Sequence, residues 1–421
     1  MQQPTSEAFA AFVGLDWAAA KHEVCLQAAG TAQRALLRLD HSPAEMKAWG
    51  QTLRTRFNGQ PIAVCLALTK GPLVAALRHD DCLVLFPLNP LPVATDREAF
   101  TPSRAKEDPT AAALQVESLR KHRDQLTPLR PQSPPRRALA QLVESRWRLV
   151  GDNVRLPNRL PRALKNYFPQ VRQWLPDKDP VIFGAFLSRW PTLKAAQRAR
   201  RSTLEGCCRA HHVRSVDVIE TRLPAIQRAR ALTPDAGVLT PHVLLGQALV
   251  APLRLTLQAI ADFDTAIAQR PQDHPACPLF DAWPGAGAVL APRLLVAFGE
   301  QRERGASAEA LPKYAGMAPV TDRSGKKAWV PWRLQCPTLL RQTFVEWAAA
   351  STRHAFWAQV YSQQQRDNAK APQAAVRALA FTWLRILSRC WQDRTPYDAS
   401  VDLQALKRRS APLWHTLAKE A

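Results

Sequence analysis

The hydrophobic positions of the first 126 residues switch between short runs typical of strands and the wider spacing typical of helices. Five apolar runs predict strands: AFVGLD, EVCLQA, RALLRLD, IAVCLAL and CLVLFPLNP. Helices are predicted from Ser42, which Pro43 follows, over GPLVAALRH, and from Pro109 to about Arg123. Residues 1–126 are therefore expected to form a mixed α/β domain.

Two Pro-rich segments, residues 127–136 and 270–278, place their prolines too close together for regular structure and predict domain boundaries. Between them, residues 137–269 repeat apolar positions at helical spacing with Arg between them, and STLEGC offers a capping box of Ser202 and Glu205. Residues 279–421 are expected to be mostly helical. Their last strong amphipathic stretch, AAVRALAFTWLRILSRCW, is interpreted as core.

Basic residues outnumber acidic ones, 57 against 35, which gives a net charge of +22. Residues 1–126 carry a net charge of +1 and the remainder +21, so a polyanionic partner is expected to contact mainly the later segments. An Arg-rich host composition is the alternative explanation. A membrane surface is a weaker one, because no stretch approaches about 18 consecutive apolar residues. The N-terminus MQQPTSEAFAAF shows no signal peptide, which predicts a cytoplasmic protein.

Eight cysteines form no CxxC pair and no regular framework, so we expect them to be reduced and buried. One cluster, CCRAHH, could be a zinc site of Cys207, Cys208, His211 and His212. Adjacent residues of a helix point about 100° apart, so all four side chains cannot face one ion. A structural zinc site is therefore not predicted.

Three arginines, Arg198, Arg200 and Arg201, form a basic run at the end of WPTLKAAQRARR. The run has two interpretations of equal weight. It could be the solvated face of a helical bundle, or it could belong to a helical arm that dimerises and contacts nucleic acid.

A tight turn is predicted at PGAG, where Pro284, Gly285 and Gly287 separate two helical stretches. Such a turn can direct backbone N–H groups at a phosphate without reading bases, and it resembles a helix-hairpin-helix element. A helix cap without a ligand would have the same sequence.

The polar loop TDRSGKKAWVPWR places Ser324 beside Gly325. Four cations surround the serine: Arg323, Lys326, Lys327 and Arg333. A serine among fixed cations is suited to attack phosphorus, since the cations stabilise the developing negative charge. A surface turn rich in turn-forming residues is the alternative.

Together these motifs resemble the insertion-sequence one-ten family of transposases, the DEDD transposases, which include the pilin-gene invertases. The resemblance runs through VGLDWAAAKHEV, TKGPL, FPLNP, REAFTPSRAKEDPT, PGAGAVLAPRLL and KYAGMAPVTDRSGKKAWVPWR to WQDRTPYD, nearly the whole chain. It implies a ribonuclease H-like (RuvC-like) domain over 1–126, a coiled-coil arm over 137–269, and a C-terminal domain over 279–421 that supplies a serine.

The family carries a Mg²⁺-binding tetrad of Asp, Glu, Asp and Asp, and two of the four acids are missing here. By resemblance, the first Asp falls on Asp16, the third on Asp108 and the serine on Ser324. Relatives have the sequence LEQSKG where this chain has LALTKG, so the resemblance places the tetrad Glu at Ala67. Relatives read DPTDA where this chain has DPTAA, so the last Asp falls on Ala111. Asp16 and Asp108 leave room for a single weakly held Mg²⁺ but not for a pair of ions.

The resemblance implies a DNA transposase or site-specific recombinase that acts on element ends and target DNA. It also implies a structured guide RNA in several members, a homo-oligomer, dimer or tetramer, and a nucleoid-associated place in the cytoplasm. A catalytically inactive nucleic-acid-binding relative is the main alternative, because Ala67 and Ala111 replace acids. A plain nuclease or junction resolvase is a weaker one, which Ser324 argues against.

Overall fold

The chain folds into two compact units, Met1–Pro131 and Gln132–Ala421. The structure is a computed structural model, and it describes residues 9–68, 70–88, 108–130, 132–175, 180–211, 216–269, 277–298, 310–325, 327–329, 336–368, 371–409 and 412–420.

The first unit is built on a five-stranded mixed sheet whose strands confirm the five predicted runs. The strands are β1 Ala11–Asp16, β2 Lys21–Ala28, β3 Ala35–Asp40, β4 Ile62–Leu66 and β5 Leu83–Pro87. Their order across the sheet is β3-β2-β1-β4-β5. The first three strands are antiparallel neighbours, whereas β1, β4 and β5 run parallel.

Three helices cover the two faces of this sheet: α1 Pro43–Arg56, α2 Pro72–Leu77 and α3 Asp108–Lys121. The predicted start of α1 is confirmed, since the Ser42 hydroxyl caps it by accepting a 3.2 Å hydrogen bond from the Glu45 N–H. Helices α1 and α2 share one core with alternate residues of the strands. Helix α3 packs on the opposite face, against the residues between them.

The second unit is almost entirely helical, and two of its helices are much longer than the others. Its helices are α4 Pro134–Leu164, α5 Val171–Trp174, α6 Pro180–Arg189, α7 Leu193–Gln197, α8 Arg201–Ala210, α9 Val216–Arg228, α10 Ala236–Ala268, α11 Cys277–Asp281, α12 Gly287–Phe298, α13 Ala310–Tyr314, α14 Thr338–Ser351, α15 Phe356–Asp367, α16 Pro372–Asp393, α17 Ala399–Arg408 and α18 Pro412–Glu420. Two strands, β6 Asp322–Ser324 and β7 Lys327–Trp329, form a hairpin.

The start of α4 corrects the first predicted linker. Helix α4 begins at Pro134, so the expectation that residues 127–136 lack regular structure is wrong for the last part of that segment. Proline is well tolerated in the first turn of a helix, where its missing N–H has no partner to lose. In the second predicted linker, residues 270–276 lie outside the described residues.

Two hydrophobic cores share the long helices α4 and α10. The arm core gathers α5 to α9 around Leu160 and Leu253. The C-terminal core gathers α11 to α18 around Trp347 and Trp383, and it also includes Val143 of α4 and Ile267 of α10. Opposite ends of the two helices therefore meet, so they run antiparallel. An ion pair between Arg146 and Asp264 joins them between the cores.

The predicted capping box at Ser202 and Glu205 is wrong. Helix α8 begins at Arg201, two residues earlier than that box requires, and Arg200 precedes it in an extended conformation without a side-chain cap. Glu205 instead accepts from the Arg201 guanidinium at 2.7 Å. An i,i+4 ion pair on the helix surface has replaced the reciprocal capping bonds.

Within the described residues, α10 is the helix that could cross a membrane by length and composition, although it contains no run of about 18 consecutive apolar residues. Prolines, His242 and Arg254 interrupt its apolar runs, so a count of consecutive apolar residues overlooks it. The helix packs along α6, where the Arg254 side chain lies against Gly184, and it contributes to both cores. A core helix passes the same test, so this is weak evidence for a membrane.

All eight cysteines are free, and six of them are buried, as expected. Cys207 and Cys336 are only half-buried. Burial raises the pKa of the Cys65 thiol to about 12, which keeps it protonated and unreactive at neutral pH. His212 of the CCRAHH stretch lies outside the described residues.

Candidate active site

Two parallel strands end side by side at one edge of the first unit's sheet. Leu15 of β1 is paired with Leu66 of β4. The next residues, Asp16 and Ala67, therefore lie side by side where the two strands end. Asp16 is half-buried and is also paired with Glu23 of β2, whereas Ala67 is exposed. The first two tetrad positions are thus neighbours in the fold.

Helix α3 brings the other two tetrad positions to this edge. Its middle touches β1 near Gly14, where a Cβ would lie 2.0 Å from the Ala112 carbonyl oxygen. Its far end reaches the start of β1, where the Arg120 guanidinium lies over the Phe12 ring. The helix therefore runs antiparallel to β1, and its first turn, with Asp108 and Ala111, lies toward the strand's carboxyl end.

A buried hydrogen bond fixes α3 against this strand. The Leu15 N–H donates to the Gln115 side-chain oxygen at 2.8 Å, and both groups are buried. Leu15 and Leu66 face the α1/α2 core. Since side chains alternate along a strand, the next positions, Asp16 and Ala67, fall on the α3 face. The backbone positions of all four residues that the family resemblance assigns to the tetrad thus lie on one face and at one edge of the sheet. The side chain of Asp108 lies outside the described set.

The loop that follows Asp16 holds features that the sequence analysis missed. Trp17 is 44% exposed, and His22 is completely buried beneath the loop. The His22 Nδ1 accepts from the Ala18 N–H at 3.2 Å, and its Nε2 lies 2.9 Å from the His41 Nδ1. Burial, and secondarily His41, lowers the pKa of His22 and favours the neutral ring. Only the polar break AKH within the strand pattern could have pointed to this pair.

The residues before and after Lys326 form a pair of antiparallel strands and not the polar loop that the sequence predicted. Ser324 ends β6 and is paired with Lys327 of β7. Gly325 begins the turn with φ 57°, a conformation that glycine adopts without strain and that tight hairpin turns require. Arg323 and Lys327 are exposed on either side of the turn. Two further predicted cations, Lys326 and Arg333, lie outside the described residues, as does the Ser324 side chain.

The predicted PGAG turn lies between α11 and α12 and is packed into the C-terminal core. A Cβ at Gly285, whose φ is 73°, would lie 2.9 Å from backbone atoms at the end of α14. The Trp347 indole N–H donates to the Pro284 carbonyl at 3.0 Å. Gly287, with φ 53°, is exposed at the start of α12. Close packing against α14 therefore explains why residue 285 is a glycine, whereas Gly287 lies on the solvent-exposed side of the turn.

The three predicted arm arginines form an exposed basic turn between α7 and α8. Arg198 is the C-cap residue that follows α7, Arg200 precedes α8 and Arg201 begins it. All three are exposed, and the guanidinium of Arg201 is engaged by Glu205. Arg198 and Arg200 therefore present their charge to solvent from a short, well-anchored connection.

Comparison with known proteins assigns the family. Residues 13–169 match the sequence model of the DEDD transposases of IS110, described as a transposase, and residues 277–363 match the model described as transposase IS116/IS110/IS902 family. Together the two matches cover more than half of the chain.

Two curated proteins are similar over most of their length. The "Mini-circle putative transposase for IS117" of Streptomyces coelicolor is 29% identical over 397 residues, which cover 92% of this chain and 95% of that protein. The "Insertion element IS900 uncharacterized 42 kDa protein" of Mycobacterium paratuberculosis is 27% identical over 312 residues, 71% of this chain and 75% of that protein. The chain thus belongs to the IS110 family of transposases.

Proposed function

We propose that the chain is a DNA transposase or site-specific recombinase of an insertion sequence, acting on element ends and on target DNA. The observation that carries the proposal is the convergence of β1, β4 and the first turn of α3 at one sheet edge. The strand order β3-β2-β1-β4-β5 supports a ribonuclease H-like, RuvC-like domain. Enzymes of this kind place carboxylates at the ends of such strands, next to the phosphate on which they act.

Ser324 is the proposed nucleophile. Its hydroxyl oxygen would bond to phosphorus, its proton would pass to solvent or a base, and the displaced DNA oxygen would leave with the electron pair of the broken P–O bond. A strand hydroxyl could later reverse the exchange, so no external energy source is needed. The exposed Lys327 is paired with Ser324 across the hairpin and would stabilise the developing negative charge, and the exposed Arg323, next to Ser324 in β6, would add positive charge from the other face of the strand.

The acids at the sheet edge do not fit a two-metal site. The family typically uses a divalent metal ion. Of the four converging positions, only Asp16 and Asp108 are acidic. In the part of the chain that the structure describes, no three His, Cys, Asp or Glu side chains gather as metal ligands. Two carboxylates cannot offset the repulsion between two dications about 3.5–4 Å apart. At most one weakly held Mg²⁺ suits this pair of carboxylates.

A second candidate function is a catalytically inactive, nucleic-acid-binding relative. The observation that favours it is the placement of Ala67 and Ala111 at the converging edge, where side-chain oxygens would be needed. A recombination assay on DNA carrying the element's own ends separates the two candidates. Strand exchange by the unmodified chain supports the enzyme, and binding without exchange supports the inactive relative.

The Ser324→Ala variant should form no covalent complex with DNA. A nicked suicide substrate carrying the element ends releases its leaving strand, so a serine–phosphate adduct accumulates and runs as a slower band in a denaturing gel. The matched control is Ser202→Ala, which removes an exposed hydroxyl from α8 and should leave the adduct unchanged. An adduct that persists in Ser324→Ala would assign the nucleophile to another residue.

The arm is proposed to form a coiled coil and to contact nucleic acid. The antiparallel pairing of α4 with α10, and the exposed turn at Arg198 and Arg200, support this role. Partners are proposed to be DNA, a structured guide RNA and further copies of the chain, as a dimer or tetramer. The outward Gly287 backbone is a proposed phosphate contact. The proposed location is the nucleoid within the cytoplasm.

Removing Arg198 and Arg200 together should reduce the salt dependence of DNA binding. Each phosphate contact contributes about 0.9 to the slope of log K against log salt, so the slope should become shallower by about 2. Fluorescence anisotropy with a labelled duplex between 50 and 200 mM salt, the range over which such contacts act strongly, measures it. The control is Lys47→Ala with Arg56→Ala, two exposed cations of α1. An equal change in that control would place the binding charge on the first unit.

A further inference from the structure

An aromatic side chain stands uncovered beside the candidate site. Trp17 directly follows Asp16 and is 44% exposed. Among the described residues of the first unit, Leu36 is the one other large hydrophobic side chain that is exposed. An aromatic side chain buries about 150–250 Å² when it is fully covered, so the exposed part of this ring leaves a sizeable apolar area in contact with solvent. The residues after it, Ala18, Ala19 and Ala20, are too small to cover the ring.

The loop that carries Trp17 is held rigidly from beneath. The His22 Nδ1 accepts from the Ala18 N–H at 3.2 Å. It therefore carries no proton, and the His22 Nε2–H must donate to the His41 Nδ1, 2.9 Å away. The His41 backbone N–H in turn donates to the Ala20 carbonyl at 2.8 Å. The exposed ring is thus presented from a fixed loop, which limits the entropy lost when a ligand stacks on it.

The surroundings of Trp17 suit a nucleotide. Asp16 lies on one side in sequence and the exposed Lys21 on the other, where its ammonium group forms a solvent-exposed ion pair with Asp40 at 3.6 Å. The exposed Lys70 belongs to the loop after the neighbouring strand β4. The apolar patch is only one ring wide and its rim is charged, unlike the extended apolar core of a stable protein interface. A single aromatic face among cations is the arrangement on which single-stranded nucleic acids stack.

We propose that Trp17 stacks on an unpaired base of the DNA strand that passes Asp16. The nucleobase would lie on the indole ring while its phosphate reaches the sheet edge. This inference rests on the proposed function, because the base belongs to the DNA that the enzyme acts on. It adds a requirement that the family assignment does not contain: the DNA must be locally unpaired beside the acidic edge.

The test compares two probes with the full-length protein. One is a 30-base-pair DNA duplex with a single bulged 2-aminopurine, and the other is the same duplex without the bulge. Trp17→Ala should weaken binding of the bulged probe by about 5- to 150-fold, the range for loss of one stacked base, and abolish the quenching of 2-aminopurine. Trp17→Phe should retain most of both effects, since any aromatic ring offers a face. Binding of the perfect duplex should not change.

Leu36→Ala is the matched control, because it removes an exposed apolar side chain from the same unit and should leave both probes unaffected. If Trp17→Ala binds the bulged probe as tightly as the unmodified chain does, the stacking proposal is wrong while the proposed function stands. If the unmodified chain binds neither probe, the proposed function and the stacking proposal both fail. A preference for the bulge that survives in Trp17→Ala would assign base recognition to other residues.

Discussion

The double variant Ala67→Glu with Ala111→Asp should bind Mn²⁺ or Mg²⁺ at least about 10- to 100-fold more tightly than the unmodified chain. Removing a residue that only supports a metal ligand already changes metal affinity by about this factor, so adding two direct ligands should change it at least as much. The reason is geometric: both positions lie with Asp16 and the start of α3 at one face and edge. Isothermal calorimetry measures the affinity directly, and recombination of element ends should rise with it.

The two changes should act as a unit. A single added carboxylate leaves a second ion underligated, so the gain of the double variant should exceed the sum of the single gains. The control is Ala67→Gln with Ala111→Asn, which adds similar volume without charge. Without metal, the four clustered carboxylates should repel and destabilise the first unit, and a chelator should expose this effect. Equal metal binding by the unmodified chain would mean that another acid completes the site.

Gly14→Ala should destabilise the first unit by about 3 kcal/mol or more, at the upper end of the cost of overpacking. The added methyl would lie 2.0 Å from the Ala112 carbonyl oxygen, and this neighbour is backbone that cannot turn aside. Helix α3 would have to move away from β1, which would also strain the bond from the Leu15 N–H to Gln115. Hydrogen exchange of the amides in β1 and α3 measures the loss of stability in the first unit separately from the second.

Gly151→Ala is the matched substitution for this experiment. Gly151 lies within α4, and a Cβ there meets no atom within 4 Å. Alanine should stabilise that helix by about 0.5–1 kcal/mol, because glycine loses more backbone freedom on folding. If Gly14→Ala were as well tolerated as Gly151→Ala, α3 would not be held against β1 as closely as described.

The sheet could be predicted from the sequence because its signal is local. Apolar runs of five to eight residues with turn-forming residues between them define β1 to β5, and Ser42 with Pro43 defines the start of α1. The position of Asp16 at a strand end follows from the same pattern. The interpretation of Ala67 and Ala111 as replaced acids rests only on the family resemblance, since alanine carries no chemical signal of its own.

Other features depend on contacts between distant parts of the chain. Strands β6 and β7 have three residues each, too few to show an alternating pattern. The close packing of Gly285 involves backbone about 65 residues later, at Ala350, which no local pattern reveals. His22 has the sequence pattern of an ordinary polar residue at the start of a strand. Its pairing depends on the return of the chain to His41, for which the polar break AKH is the single local signal. Long-range pairing therefore limited the prediction.

The long helices of the second unit have a mechanical consequence. Helix α4 has 31 residues, which at 1.5 Å per residue makes a rod about 46 Å long. Its first turns are anchored in the C-terminal core, where the Trp147 indole also donates to Gln342, and its last turns are anchored in the arm core. With α10 beside it, the rod acts as a lever: a tilt of about 5° at one end would carry the other about 4 Å sideways. A load on the basic turn at Arg198 would therefore be transmitted along these helices as torque at α14.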